Sequence, residues 1–141
     1  MRDLANNIHL ARAISPAVAG AADSPLVSEI IDRRGYDSLV FAILAGSLAD
    51  ANATFAVLVE DGDESDLSDA AAVADEELNG TEALAALTFA DDNEPRKIGY
   101  VGSKRYVRLT VTPSGNTGDV YLSAIAVLGH PELRPTANPP A

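Results

Sequence analysis

Arg105-Tyr106-Val107-Arg108-Leu109-Thr110-Val111-Thr112 alternates without a break. Val107, Leu109 and Val111 fall on one side of an extended chain, and Tyr106, Arg108, Thr110 and Thr112 on the other. Side chains of a strand point to opposite faces with a period of two, so this stretch reads as a half-buried strand with one wet face. Pro113-Ser114-Gly115-Asn116-Thr117-Gly118 follows, dense in turn-forming residues. Residues 119–128 then read as a second strand, apolar on both faces and rich in β-branched and aromatic side chains. The pair is expected to form a hairpin around a loop of about five or six residues.

Working outward, residues 37–45 place Leu39, Val40, Phe41, Ile43 and Leu44 between Gly35 and Gly46. The run is too short for most helices. With residues 54–59, where Phe55, Val57 and Val59 oppose Thr54, Ala56 and Leu58, it predicts two central strands, the first buried on both faces. Residues 26–31, 84–90 and 97–101 supply shorter candidates, and Gly99 and Gly102 suggest a bulge or bend. Residues 65–79 admit two readings. Their alanines favour a helix capped by Gly80, but acids at its C-terminal end would oppose the helix dipole. An irregular stretch or a short edge strand near 71–75 fits equally.

About seven or eight strands at roughly ten-residue intervals predict an all-β fold, an antiparallel β-sandwich and in particular a jelly roll of about eight strands. Its expected core is Leu39, Phe41, Ile43, Phe55, Val57, Val107, Leu109, Val111, Leu122 and Ile125. Residues 1–24 read as an N-terminal arm, 25–130 as the sandwich and 131–141 as a Pro-rich tail. In the arm, Leu4, Ile8, Leu10 and Ile14 fit neither structural period, and four prolines fall within residues 130–141. Both ends are expected to be extended arms.

Charge is distributed unevenly. No Lys or Arg occurs between Tyr36 and Pro95, a stretch holding fifteen carboxylates. Residues 1–35 are neutral, and from Arg96 onward six basic residues face two acidic ones, giving the net −11. The chain has no Cys, which removes disulfides, thiolate zinc sites and thiol nucleophiles and fits assembly in a reducing cytoplasm. No apolar run is long enough to span a membrane. Residues 13–22 imitate a signal peptide through Ala19-Gly20-Ala21, but Ser15 and Pro16 interrupt the apolar run, so no cleavage is expected. An acidic excess repels phosphate backbones, so no nucleic-acid partner is expected.

No catalytic or cofactor motif emerges. An EF-hand loop beginning at Asp61 would need Gly where Asp66 stands and Glu where Ala72 stands, and the acidic stretch 60–66 reads as a solvated loop. His9 and His130 have no metal-ligand neighbours at useful spacing and enter no Ser/His/Asp arrangement. Gly102-Ser103-Lys104 is not a phosphate loop, because the order of residues and the following strand are wrong. No enzyme, metal or cofactor is expected. Arg96, Lys97, Lys104, Arg105 and Arg108, with Arg33-Arg34 upstream, form a basic cluster. Either it neutralises the protein's own acidic loops, or it docks an acidic partner or the carboxylates of a neighbouring copy.

Three stretches carry a family resemblance: Ile31-Asp32-Arg33-Arg34-Gly35-Tyr36-Asp37-Ser38-Leu39, residues 98–113 from Ile98-Gly99-Tyr100, and residues 120–131 from Val120-Tyr121-Leu122. Over roughly residues 25–131 the chain resembles small structural proteins of tailed bacteriophages, most of all the capsid cement protein of a Bordetella podovirus. The resemblance implies a jelly-roll virion protein, assembled in the host bacterial cytoplasm, on the outer surface of an HK97-like head. It would bridge neighbouring capsomers and stabilise the DNA-filled shell. Its partners would be the major capsid protein and further copies of itself, as a homodimer or other homo-oligomer. Leu4, Ile8 and Leu10 of the arm and the basic residues named above are the expected contacts. A phage tail, neck or baseplate adaptor with a similar sandwich is the alternative, and a carbohydrate-binding module a third.

Overall fold

The computed structural model describes residues 2–16, 20–48 and 50–140, so part of the signal-like segment and both chain ends lie outside the described residues. In chain order the strands are β1 (Ile8–Ile14), β2 (Gly20–Ala21), β3 (Leu26–Val27), β4 (Ile31–Asp32), β5 (Tyr36–Ala45), β6 (Thr54–Gly62), β7 (Ala71–Ala72), β8 (Leu78–Asn79), β9 (Leu87–Thr88), β10 (Pro95–Tyr100), β11 (Tyr106–Ser114), β12 (Asp119–Val120) and β13 (Leu122–Pro131). One sheet runs β1-β13-β5-β10-β8. The second runs β3-β11-β6-β7, with β4 also on β11 and β9 also on β6, and β12 pairs β2 separately. The long strands β5, β6, β10, β11 and β13 alternate between the two sheets. This is the expected jelly roll.

Alternation decides what lies between the sheets. Leu39, Phe41, Ile43, Ile98, Tyr100, Leu122, Ala124 and Leu128 of the first sheet meet Phe55, Val57, Val59, Val107, Leu109 and Val111 of the second, all buried. The expected core holds except at Ile125, which is 45% exposed. Ile125 pairs Ala42 on β5, between the inward Ala124 and Ala126, and so points out of the sandwich. Strand β5 is likewise buried on one face only, for Ala42 and Leu44 are exposed.

The expected hairpin does not form. Strand β11 lies against β6 in the second sheet, while β13 lies between β1 and β5 in the first. The loop after Ser114 therefore carries the chain across the sandwich. A hairpin and a crossing would bury the same alternate side chains, so periodicity cannot separate them. Distant residues hold the crossing. Asp50 Oδ2 accepts the Thr117 and Gly118 N–H groups at 2.6 and 2.8 Å, and Asp23 accepts that of Asn116 at 2.8 Å. The Asn116 amide donates to the carbonyls of Ala22 and Gly118, and Gly115 takes the left-handed φ of +69° that a Cβ would resist.

Nor is residues 1–24 a free arm. β1 pairs antiparallel with β13, and its register shifts between Arg12 and Ile14. This bulge buries Ala13 and Ile14 in succession. It also explains why the segment fits neither period. The tail folds back upon it: buried Thr136 donates its N–H to the Asn6 carbonyl at 3.1 Å and its hydroxyl to that of Ile8 at 2.5 Å.

Two shorter segments complete the frame. Thr81 caps a helical turn, Glu82–Ala85, by accepting the Leu84 N–H, so helix-forming Glu, Ala and Leu displace the start of the strand expected at 84–90. Residues 65–79 take the irregular reading, with edge strands β7 and β8 around a 3₁₀ turn at Asp75–Glu77.

Candidate docking surface

Strands β1, β13, β5 and β10 each send alternate residues outward from the first sheet. The registers place Leu10 beside Val127, Val127 beside Val40 and Val40 beside Gly99. The next row is Arg12, Ile125, Ala42 and Lys97, and the third is Ser123, Leu44 and Pro95. Leu44 is 54% exposed and Leu10 42%. Not one of these positions is acidic, although the chain carries twenty-one carboxylates. Charged side chains ordinarily cover a wet sheet face, so a contiguous apolar face marks a contact surface.

Shallow hollows shape this face. One, of about 450 Å³, is floored by Val40, Val127 and the two glycines Gly99 and Gly129, and walled by Leu4, Ile8, Val101 and Arg134. Gly129 packs so tightly that an added Cβ would stand 2.7 Å from Ser38 Oγ. That hydroxyl lies 2.9 Å from His130 Nδ1, also in the wall. A second hollow, of about 780 Å³, lies beside β10 between Ala42, Leu84, Pro95 and Lys97. Asn79 and Lys97 border both, and neither is lined by any carboxylate.

The basic residues singled out from the sequence do not gather on this surface. Arg105 makes a bidentate pair with Asp32 at 2.8 and 2.9 Å, and its guanidinium holds the Asp32 carboxyl below the usual range. Arg108 pairs Glu60 at 2.9 Å on the second sheet, Arg96 pairs Asp91 at 2.9 Å, and Lys104 pairs Asp63 at 2.5 Å. Arg33 donates to the carbonyls of Lys104 and Gly102 and lies over the Tyr100 ring, 4.9 Å from its centroid. Arg96 lies on β10 of the first sheet and Arg105 just before β11 of the second, and they pair with different carboxylates, Asp91 and Asp32. Of the cluster, Arg33, Arg34 and Lys97 make no ion pair among the described residues, and Lys97 alone faces out from the first sheet. The three apolar arm residues do reach that side: Leu4 and Ile8 wall the first hollow, and Leu10 lies on the face.

Residues 60–66 are only partly a solvated loop. Asp61, on the inner side of β6, is 7% exposed and accepts the Tyr100 hydroxyl at 2.6 Å across the sandwich. The same hydroxyl oxygen accepts the Lys104 N–H at 3.0 Å. Burial, then the bond to Asp61, pushes the Tyr100 hydroxyl well above the usual tyrosine value. Among the described residues no group of three or more His, Asp or Glu side chains is placed to hold a metal, and no helix is long and apolar enough to cross a membrane.

Sequence reasoning missed the outward apolar residues Val40, Leu44, Ile125 and Val127, although their signal was present. The strand at 37–45 is expected to be buried on both faces and that at 119–128 to be apolar on both, whereas Leu44 and Ile125 on their outer sides are exposed among the described residues.

No family model and no curated protein matches the chain. Among solved structures it is similar to the PBSX exported protein XepA, at TM-score 0.53 and 18% identity over 94% of this chain. It is also similar to endo-1,4-beta-D-xylanase 10B of Clostridium thermocellum with its CBM22-1 and GH10 modules complexed with xylohexaose, at TM-score 0.50 and 13% identity over 95% of this chain. The SPBc2 prophage-derived protein YomS aligns at TM-score 0.48 and 14% identity, over 86% of this chain and 92% of its own. The chain spans 40% of XepA's length and 28% of the xylanase chain. At such identities the likeness is one of fold, and no family membership follows from it.

Proposed function

We propose that this protein is a structural virion protein, a cement protein that docks on the outside of a tailed-phage capsid through the outer face of its first sheet. One observation carries the reading: the outward rows of the first sheet are largely apolar and hold no acidic residue, the Glu29 carboxylate that reaches their edge being paired with Arg12 at 3.0 Å, on a chain of net charge −11. Acidic loops elsewhere favour solubility and repel wrong contacts, which leaves this face as the surface that sticks. The resemblance of residues 25–131 to capsid cement proteins supplies the partner, the major capsid protein. A ligand that binds only the assembled shell stabilises it by mass action, and repeated weak contacts on a symmetric surface add as avidity. Self-association of neighbouring copies on the shell would multiply those contacts.

Co-sedimentation with heads lacking the protein tests this. The double substitution Leu44→Asp and Ile125→Asp places charges on half-exposed positions, so it should leave the fold intact and abolish head occupancy. Retained occupancy with the doubly charged face would reject the docking surface. Recovery with tails or necks and absence from empty heads would instead favour the adaptor.

A carbohydrate-binding role is the second reading, favoured by the fold likeness to the xylanase and by the hollows on one sheet face. One aromatic ring that a sugar could stack on borders this face: Tyr121, 52% exposed just before β13, lines a further hollow with Leu44 and Ser123. Retention on insoluble xylan, abolished by the same two substitutions, would establish that reading in place of the first.

A further inference from the structure

We infer that the groove formed by the two hollows around Lys97 binds an extended peptide segment of the partner, with an acidic side chain flanked by apolar ones. Lys97 and Asn79 stand where the hollows meet. The first hollow has a floor lowered by Gly99 and Gly129, whose missing side chains expose Val40 and Val127. The second is lined by Ala42, Leu84 and Pro95. Two largely apolar hollows, with Arg134 in the wall of one and Arg96, paired with Asp91, in that of the other, flank the unpaired Lys97 and match a chain that presents apolar, acidic and apolar groups in turn.

The charges select the sign of the occupant. Lys97 makes no ion pair among the described residues, Arg134 stands in the wall of the first hollow, and no carboxylate lines either one. A basic segment would meet unscreened repulsion, and a neutral one would leave Lys97 desolvated without a partner. A nucleic-acid strand suits the site poorly, since a phosphate backbone needs a row of cations and the remaining surface is strongly acidic. Apolar content fixes the rest, because both cavities need side chains to fill them.

The assignment rests on the shell-docking reading only for the source of the peptide, and its test uses no heads. The probe is a capped heptapeptide of alternating leucine and aspartate, titrated into the isotopically labelled full chain while backbone amide shifts are followed. Controls carry asparagine or lysine in place of aspartate, and a thymidine octanucleotide serves as a fourth ligand. Shifts should concentrate at Lys97, Gly99, Val101 and Gly129. Affinity should fall at least tenfold with Lys97→Gln and at least tenfold with the lysine peptide. Equal binding of the acidic and lysine peptides, shifts centred on Arg105 and Arg108, preferential binding of the oligonucleotide, or no binding of any peptide would each overturn the assignment. If peptides fail while heads are still bound through the sheet face, the groove assignment falls and the docking reading stands. If the acidic peptide binds here but heads do not, the reverse holds.

Discussion

Replacing Tyr100 by Phe removes one oxygen that makes two contacts. It takes away the 2.6 Å bond to Asp61 Oδ2, which ties β10 in one sheet to β6 in the other, and the acceptor of the Lys104 N–H. A hydrogen bond to a carboxylate contributes about 1.5–3 kcal/mol, and a neutral one about 1 kcal/mol. Asp61 is 7% exposed, so water restores little of the loss, and Tyr100→Phe should cost about 2–4 kcal/mol. Unfolding entropy near 2.1 cal/mol/K per residue makes 1 kcal/mol worth about 3–4 °C in a chain of this length. The melting temperature should therefore fall by about 7–14 °C. In a double-mutant cycle with Asp61→Asn, the coupling energy should exceed about 1 kcal/mol. The alkaline limb gives a second readout. The folded hydroxyl titrates above its unfolded value of about 10, so its contribution is complete below that pH and is lost as pH rises through the folded value. Calorimetry should show a steeper fall in melting temperature above pH 10 for the parent than for Tyr100→Phe. A variant melting within about 2 °C of the parent, with an unchanged alkaline limb, would refute the claim that this pair locks the sheets.

Three further outcomes follow from the same geometry. Ile14→Ala should cost about 2–5 kcal/mol, and deleting residues 2–14 should lower the melting temperature by at least about 10 °C, because β1 is part of the sheet; scanning calorimetry of the two variants checks both. Replacing Arg105 and Arg108 together by Gln should leave head occupancy unchanged, as each is paired within the chain away from the first sheet; denaturant titration should show little loss of stability from the exposed Arg105 pair, which solvent screens. Asp32, Asp50, Asp66, Asp69 and Asp91 are all held below the usual carboxylate value, Asp32 mainly by Arg105 and Asp50 mainly by the Thr117 and Gly118 N–H groups. Their stabilisation is complete above about pH 4 and is lost as pH falls through the lower folded values, so Asp50→Asn should flatten the acid limb of the melting-temperature profile between pH 5 and 2.

The sequence by itself determined the class of fold and most of the core. Period-two alternation in residues 54–59 and 105–112 is a local property of the pleat, and it placed Phe55, Val57, Val107, Leu109 and Val111 inward without knowledge of any neighbour. Tertiary structure decided everything that depends on which strand lies beside which. Residues 105–112 and 119–128 carry the same inward pattern whether they pair or cross, and groups remote in sequence, Asp50, Asp23 and the β2 segment that pairs β12, hold the crossing. Residues 8–14 hid a strand because one bulge, between Arg12 and Ile14, shifts the period near its end. The basic cluster looked available because charges near in sequence were visible and their partners were not. Asp32 lies 73 residues from Arg105, and Glu60 lies 48 from Arg108. Two-sided apolar strands signal either double cover or an exposed contact face. Composition cannot separate these, since the difference lies in whether a further layer packs outside the sheet, and here Leu10, Ile125 and Leu44 stay exposed among the described residues.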